Sequence, residues 1–282
     1  MVDNNQNPLA KHFRQPSIYI KLPSGGKYWA EGSVELPLNG ELPVYPMTTK
    51  DELTLRTPDA LMSGQGVVSV IQSCCPNVKN AWDAPSIDMD TLLIAIRIAS
   101  YGHDMDVDSL CVKCQEPNRF TIDLRSALDS IIPPDYNTPL QVGELRIKLK
   151  PQEYTETSKA NAMGYEEQRM VANITESTLD AEEKARAIAA QMNKLIDMTT
   201  DLLAKSTAYI ALTEGDVVSD QNFIKEFYAN APSTVIRTIQ EKIGQMATDA
   251  AIKPYQVKCT SCETEYSMSV DFDYASFFDA GF

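Results

Sequence analysis

Four of the six cysteines in this chain stand as two Cys-x-x-Cys pairs, Cys111 and Cys114 in LCVKCQEPNRFTIDL and Cys259 and Cys262 in KCTSCETEYSMSVDF. A two-residue spacer lets two thiolates bind one ion while the amides of the turn stabilise their charge. Two such turns supply the four soft ligands of a closed, tetrahedral zinc site. Aligned from the first cysteine without a gap, the segments agree beyond the ligands. Apolar residues coincide at Phe120 and Met268, Ile122 and Val270, and Leu124 and Phe272, and Asp123 falls on Asp271. Apolar residues at every second position predict a half-buried strand, so each pair reads as a thiolate turn followed by a strand, half of a zinc ribbon. A single pair is also compatible with a redox motif, and free buried thiols or disulfides are the other readings. The matched strands favour one shared structural zinc per chain, held by Cys111, Cys114, Cys259 and Cys262.

Roughly half the chain separates Cys114 from Cys259, far more than a stand-alone ribbon needs. Closing a loop of that length costs on the order of 4 to 5 kcal/mol, against roughly 10 to 16 kcal/mol for structural zinc in small peptides. The metal is therefore strong enough to staple distant parts of the chain. Four thiolates leave no open coordination position for water or substrate. His103 lies close before Cys111, but the cysteines already fill the tetrahedron, and His12 sits in a polar stretch. With two histidines, neither beside an obvious nucleophile, acid–base chemistry has little to work with. No catalytic residue, organic cofactor or small-molecule substrate is predicted. The acidic run DMDVD at 104–108 reads as a solvated loop, since the glycine and terminal glutamate of an EF-hand are missing. Cys74 and Cys75 end an apolar helical pattern and read as core residues.

Charge narrows the partners. With 39 acidic against 25 basic residues the net charge is −14, a field that repels nucleic acid and anionic lipid. No run approaches the ~20 apolar residues of a membrane span, and MVDNNQNPLAKHF has no basic segment followed by an apolar one, which predicts no signal peptide. A reducing compartment follows. The expected partners are proteins.

The elements that must position the cysteines form an α+β fold with a long helical insert. Residues 1–15 read as a flexible polar arm, 16–134 as an α+β portion ending in the first knuckle, 135–252 as a mainly helical insert, and 253–282 as the second knuckle with an aromatic C-terminus. IYIKLPSGGKYW predicts a hairpin turning at Gly25-Gly26, and VELPLNGELPV a second turning at Asn39-Gly40. Pro37 and Pro43 confine these strands to edges or partial pairing. The glycine pair is not a phosphate loop, because no Lys-Ser/Thr and no helix follow it. Thr48 or Thr49 caps a short helix through Leu55, and Thr57-Pro58 reads as the start of a second helix reaching Cys74. A third carries Leu92, Leu93, Ile96 and Ala99 on one face and stops at Gly102; its Arg97 is expected to bond carbonyls or a carboxylate.

After the first knuckle, LRSALDSIIPP predicts a short helix stopped by Pro133-Pro134, and PLQVGELRIKLKP a strand or hairpin extending the N-terminal sheet. A long helix over about 179–210 carries Ile188, Met192, Leu195, Thr199, Leu202, Ser206 and Ile210 at steps of three and four. A shorter helix covers 220–228. In the last, capped by Ser233, Ile236, Ile239, Ile243, Met246 and Ala250 form the apolar stripe. Phe277 and Phe278 are expected to pack on the ribbon.

IYIKLPSGGKYW, PMTTKDELTLRTPDALMSGQGVVSVIQSC, DMDTLLIAIRIASYGHDMDVDSLCVKC and CTSCETEYSMSVDFDYASFF resemble the baseplate hub assembly proteins of T4-like contractile-tail bacteriophages. The resemblance covers roughly 16–130 and 253–279. It implies a non-enzymatic viral protein made in the host cytoplasm, which helps to build the baseplate hub by binding other tail proteins and sits in the virion baseplate if retained. The alternative of a different class is a zinc-ribbon adaptor for host transcription or regulatory machinery, which calls for a detachable ribbon and a basic surface.

Overall fold

The structure is a computed structural model describing residues 9, 12–57, 63–177, 180–213, 215–269 and 277–278. Strands β1 (Ile18–Lys21) and β2 (Glu41–Val44) pair antiparallel, Ile18 opposite Val44 and Lys21 opposite Glu41. Ile20, Leu42 and Val44 turn into the core. The two local hairpins expected here do not form, and Asp88 shows why. Its buried carboxylate accepts from Ser24 N (2.8 Å), Ser24 Oγ (2.5 Å) and Trp29 Nε1 (2.8 Å). The SGGKYW loop is therefore folded onto a helix instead of returning as a strand. Val34 in turn bridges to Val78, which leaves β2 to pair with β1. Gly40 does turn the chain with a positive φ of 73°, but the strand it launches finds its partner far upstream. Just before β1, Arg14 donates to Pro46 O (2.8 Å) and Ser73 O (2.7 Å), so the chain is already anchored there.

Helix α1 (Thr49–Leu55) is capped by Thr48 in a reciprocal box with Asp51. The expected helix start at Thr57-Pro58 runs into 58–62, outside the described residues; α2 (Gln65–Cys74) opens from Gly64, whose φ of 74° suits glycine. Helix α3 (Ser86–Tyr101) ends at Gly102 as expected. It is buried around most of its circumference, not on one face: Leu92, Leu93, Ile94, Ala95 and Ile96 are all essentially inaccessible. A helix of this kind has to be wrapped, and β1, β2 and α2 are among its neighbours. Next come β3 (Asp104–Leu110) and β4 (Pro117–Asp123), an antiparallel pair, then α4 (Leu124–Ser130), capped by Asp123. The acidic run is thus a strand, with Asp104, Asp106 and Asp108 on its exposed side and Met105 and Val107 on the other.

Residues 135–252 contain more than helices. Strands β5 (Leu140–Val142) and β6 (Leu145–Leu149) form the expected hairpin. Two long helices follow, α5 (Tyr154–Glu176) and α6 (Ala181–Lys205), and then β7 (Thr207–Ala211) and β8 (Val217–Val218). These four strands make their own sheet, ordered β5-β6-β7-β8, and do not extend β1 and β2. Ile210 falls on β7, opposite Ile147. Its spacing from Leu202 fits a helix, but the β-branched and aromatic run of Thr207, Tyr209 and Ile210 finds a ladder instead. Helices α7 (Gln221–Asn230) and α8 (Ser233–Ala250) complete this part, with Pro232 and not Ser233 at the N-cap of α8. Ile147, Leu203, Ile210, Ile224, Tyr228, Ile239 and Met246 pack into a second core. The chain returns to the first core through β9 (Tyr255–Lys258) and β10 (Glu265–Met268), also antiparallel. The architecture is α+β, with two distant cysteine knuckles brought to one place.

Candidate metal centre

Each knuckle is the tip of a hairpin, with a strand before the turn as well as after it. The two are built alike to the hydrogen bond. Cys111 N donates to Glu116 O (3.0 Å) and Gln115 N to Cys111 O (2.9 Å); at the same offsets Cys259 N donates to Thr264 O (2.9 Å) and Glu263 N to Cys259 O (3.1 Å). The residue after each second cysteine is left-handed, Gln115 at φ 60° and Glu263 at φ 56°. Left-handed backbone at a non-glycine residue costs of order 1 kcal/mol or more and persists where its surroundings over-determine it. The gapless alignment of the two segments thus corresponds to a repeated conformation as far as Met268. Val270, Asp271 and Phe272 lie outside the described residues.

The knuckles face each other. Cys111 Sγ is 3.6 Å from Cys262 Sγ, and Cys114 Sγ is 3.7 Å from Cys259 Sγ. All four sulfurs lie within 4.8 Å of one another, and the group could hold a metal ion. Four thiolates about 2.3 Å from one tetrahedral ion would stand about 3.8 Å apart, so donor type and spacing both fit. No disulfide competes, since all six cysteines are free. The Cys262 and Ser261 amides hold the Cys259 thiol below its ordinary value, helped by Asn118. The Thr264 hydroxyl and amide hold Cys262 down to about 6. Cys114 goes the other way, up to about 12, because crowding by the other sulfurs outweighs the lowering by the Glu116 amide. Four packed thiols cannot all shed their protons without a compensating cation, and opposed shifts within one cluster are the result.

Asn118, on β4, has no counterpart in the motif alignment, yet it joins the two knuckles. Its Oδ1 accepts from Thr260 N (2.9 Å) and Thr260 Oγ (2.8 Å), inside the second pair. Its Nδ2 donates to Glu116 O at 2.8 Å, in the first knuckle, and faces Cys259 Sγ at 3.6 Å. The side chain is buried and its polar atoms are engaged. Only a long-range contact reveals this role; nothing in the local pattern at 118 marks it. Tyr266 adds an edge-on contact with Phe120, ring centroids 6.4 Å apart.

Of the other residues considered from sequence, His103 faces Asp104 at 3.6 Å and stands apart from the sulfurs. Cys74 and Cys75 are fully buried, and burial pushes the Cys74 thiol up to about 12, which suits inert core residues. Arg97 does bond a carbonyl, donating to Phe277 O at 2.6 Å, and lies over the Tyr101 and Phe277 rings. Phe277 and Phe278 are buried in the first core, where Arg97 of α3 holds Phe277. Cys111, Cys259, Tyr266 and Met268 belong to that same core.

Fold and site together define a two-core α+β protein closed on itself through a four-cysteine cluster. Residues 16–279 match the family described as T4 bacteriophage base plate protein, and the chain belongs to that family. It is a structural protein of the phage tail baseplate. No curated protein and no solved structure gave a significant match. Among the described residues, no helix is long and apolar enough to cross a membrane.

Proposed function

We propose that this protein is a hub component or hub assembly factor of the baseplate. In this reading it works through protein–protein contacts, without catalysis, around one structural zinc bound by Cys111, Cys114, Cys259 and Cys262. The observation that carries it is the gathering of four sulfurs within 4.8 Å of one another from segments half a chain apart, both rooted in the core that surrounds α3. Zinc in such a site supplies a cross-link and a fixed charge balance. The chain's own residues do the rest: Asn118 registers one knuckle on the other, and Arg97 fixes the C-terminal aromatics against α3. A ribbon sharing the main core is not detachable, so this packing suits an assembly part better than a host-directed adaptor. The net charge of −14 favours tail proteins over nucleic acid as partners. Synthesis in the host cytoplasm and a place in the virion baseplate belong to the same reading. Pairwise co-expression with the central and peripheral baseplate proteins of the same phage, together with mass spectrometry of purified virions, tests it. Capture by a central protein is expected; binding only to peripheral wedge proteins would refute the hub role.

A further inference from the structure

Helix α6 carries two largely apolar stripes, and among the described residues only one is covered. Lys184, Lys194 and Lys205 reach Thr175 O (2.9 Å), Glu167 (3.6 Å) and Glu156 (2.5 Å) on α5, which marks the side of α6 that faces α5. Ile188, Leu195, Met198 and Leu202 lie along that side and are half-buried. The second stripe is Ala185, Ala189, Met192, Ile196, Thr199 and Leu203. Its alternating steps of four and three are the spacing of a coiled-coil seam. From Ala185 to Thr199 every one of these residues is exposed, Met192 by 50% and Ile196 by 61%. Leu203, at the end, is buried in the core that α7 and α8 complete. From Met192 to Leu203 the seam forms one wall of a groove of about 780 Å³ between α6 and the start of α8. Met192, Ile196 and Leu203 line one side and Tyr228, Ile236 and Arg237 the other.

We propose that this groove receives an amphipathic helix from another baseplate chain. The inference rests on the reading above that the protein acts through protein contacts, and it names the surface and the occupant. A seam with a period of 3.5 residues is matched by another helix with the same period; a strand, whose side chains alternate every two residues, does not follow it. Small residues at Ala185 and Ala189 let the incoming helix come close, and Met192 and Ile196 present the bulk. Charge selects the partner. Asp197 shares Lys225 with Asp201, at 3.2 and 3.3 Å, whereas the exposed Arg237 on the opposite wall has no ion-pair partner among the described residues. The occupant therefore carries an acidic side chain where it passes Arg237. A second copy is disfavoured, because two chains of net charge −14 repel each other.

The test uses the full chain against each of the other baseplate proteins of the same phage, with affinity measured by titration and the self-associated state by sedimentation. Ile196→Glu is expected to weaken binding to one helix-bearing partner at least tenfold. Arg237→Glu should weaken the same partner and flatten the salt dependence, with the circular dichroism of both variants unchanged. Thr199→Glu, an exposed substitution on the same seam toward a better helix former, serves if Ile196→Glu does not fold. Wild-type affinity in all three variants would overturn the proposal while leaving the protein-contact reading intact. Self-association of the wild type abolished by Ile196→Glu would overturn it in favour of a second copy. If the wild type binds no baseplate protein, both readings fall.

Discussion

Asn118 spans the two knuckles with one amide group, and its position makes a specific prediction. Removing it in Asn118→Ala takes the acceptor from the Thr260 amide and hydroxyl, which sit at the edge of the site within reach of water, an expected loss of about 1 to 3 kcal/mol. Partners that orient metal ligands typically contribute ten- to a hundredfold in affinity, so zinc should be lost to a competing chelator at correspondingly lower concentration. Chelator titration beside a denaturant melt separates the two effects; unchanged zinc retention would show that the knuckles register without this residue. Asp88 makes a second prediction, of pH dependence. Burial raises its carboxyl above the usual carboxylate range, despite the Ser24 and Trp29 donors. The folded state then binds this proton more readily than the unfolded state, so the contribution of Asp88 to stability falls as pH rises through that window. Asp88→Asn lacks this slope. The stability of wild type relative to the variant should therefore be higher near pH 4, at the ordinary carboxylate value, than at about pH 8 in paired urea melts, and parallel curves would contradict the assignment.

At the scale of elements, the two stripes of α6 call for opposite outcomes. Leu202→Asp places a charge in the side facing α5 and should loosen the α5–α6 pair, costing several kcal/mol with a visible loss of helical circular dichroism. Ile196→Glu should leave the helices intact. If both variants fold equally well, the assignment of covered and open faces is wrong. The sequence made some of this plain: the Thr48 capping box, the Gly102 stop and the matched knuckles are local patterns with local causes. Other features had no local signal. The Gly25-Gly26 hairpin failed because Asp88, on a distant helix, outcompeted a strand partner for Trp29. Ile210 kept helical step from Leu202 by coincidence and was claimed by the ladder with β6. Asn118 looked like an ordinary strand residue until Thr260 stood beside it.

Across the whole molecule, the two halves of the cysteine cluster sit in one core with α3, the N-terminal strands and the C-terminal Phe277 and Phe278. Chelation should therefore weaken the main core as well as the ribbon, whereas in a detachable ribbon the damage would stay local. A structural zinc site is worth roughly 10 to 16 kcal/mol in small peptides, more than the 5 to 15 kcal/mol net stability of most domains. If the proposed zinc is bound, part of that goes into closing the long loop between the knuckles, and the remainder would be large enough to govern the melting of the first core. The second core, built on Ile147, Ile224 and Ile239, lies away from the cluster and is expected to melt less sensitively to chelator. The most direct measurement is zinc content by elemental mass spectrometry on protein purified without chelator, with Cys259→Ser as the comparison and thermal melts of both. One zinc per wild-type chain, with loss of metal and a lowered first-core transition in Cys259→Ser, is the predicted result. A wild-type protein that is folded, free of disulfides and free of metal would contradict it.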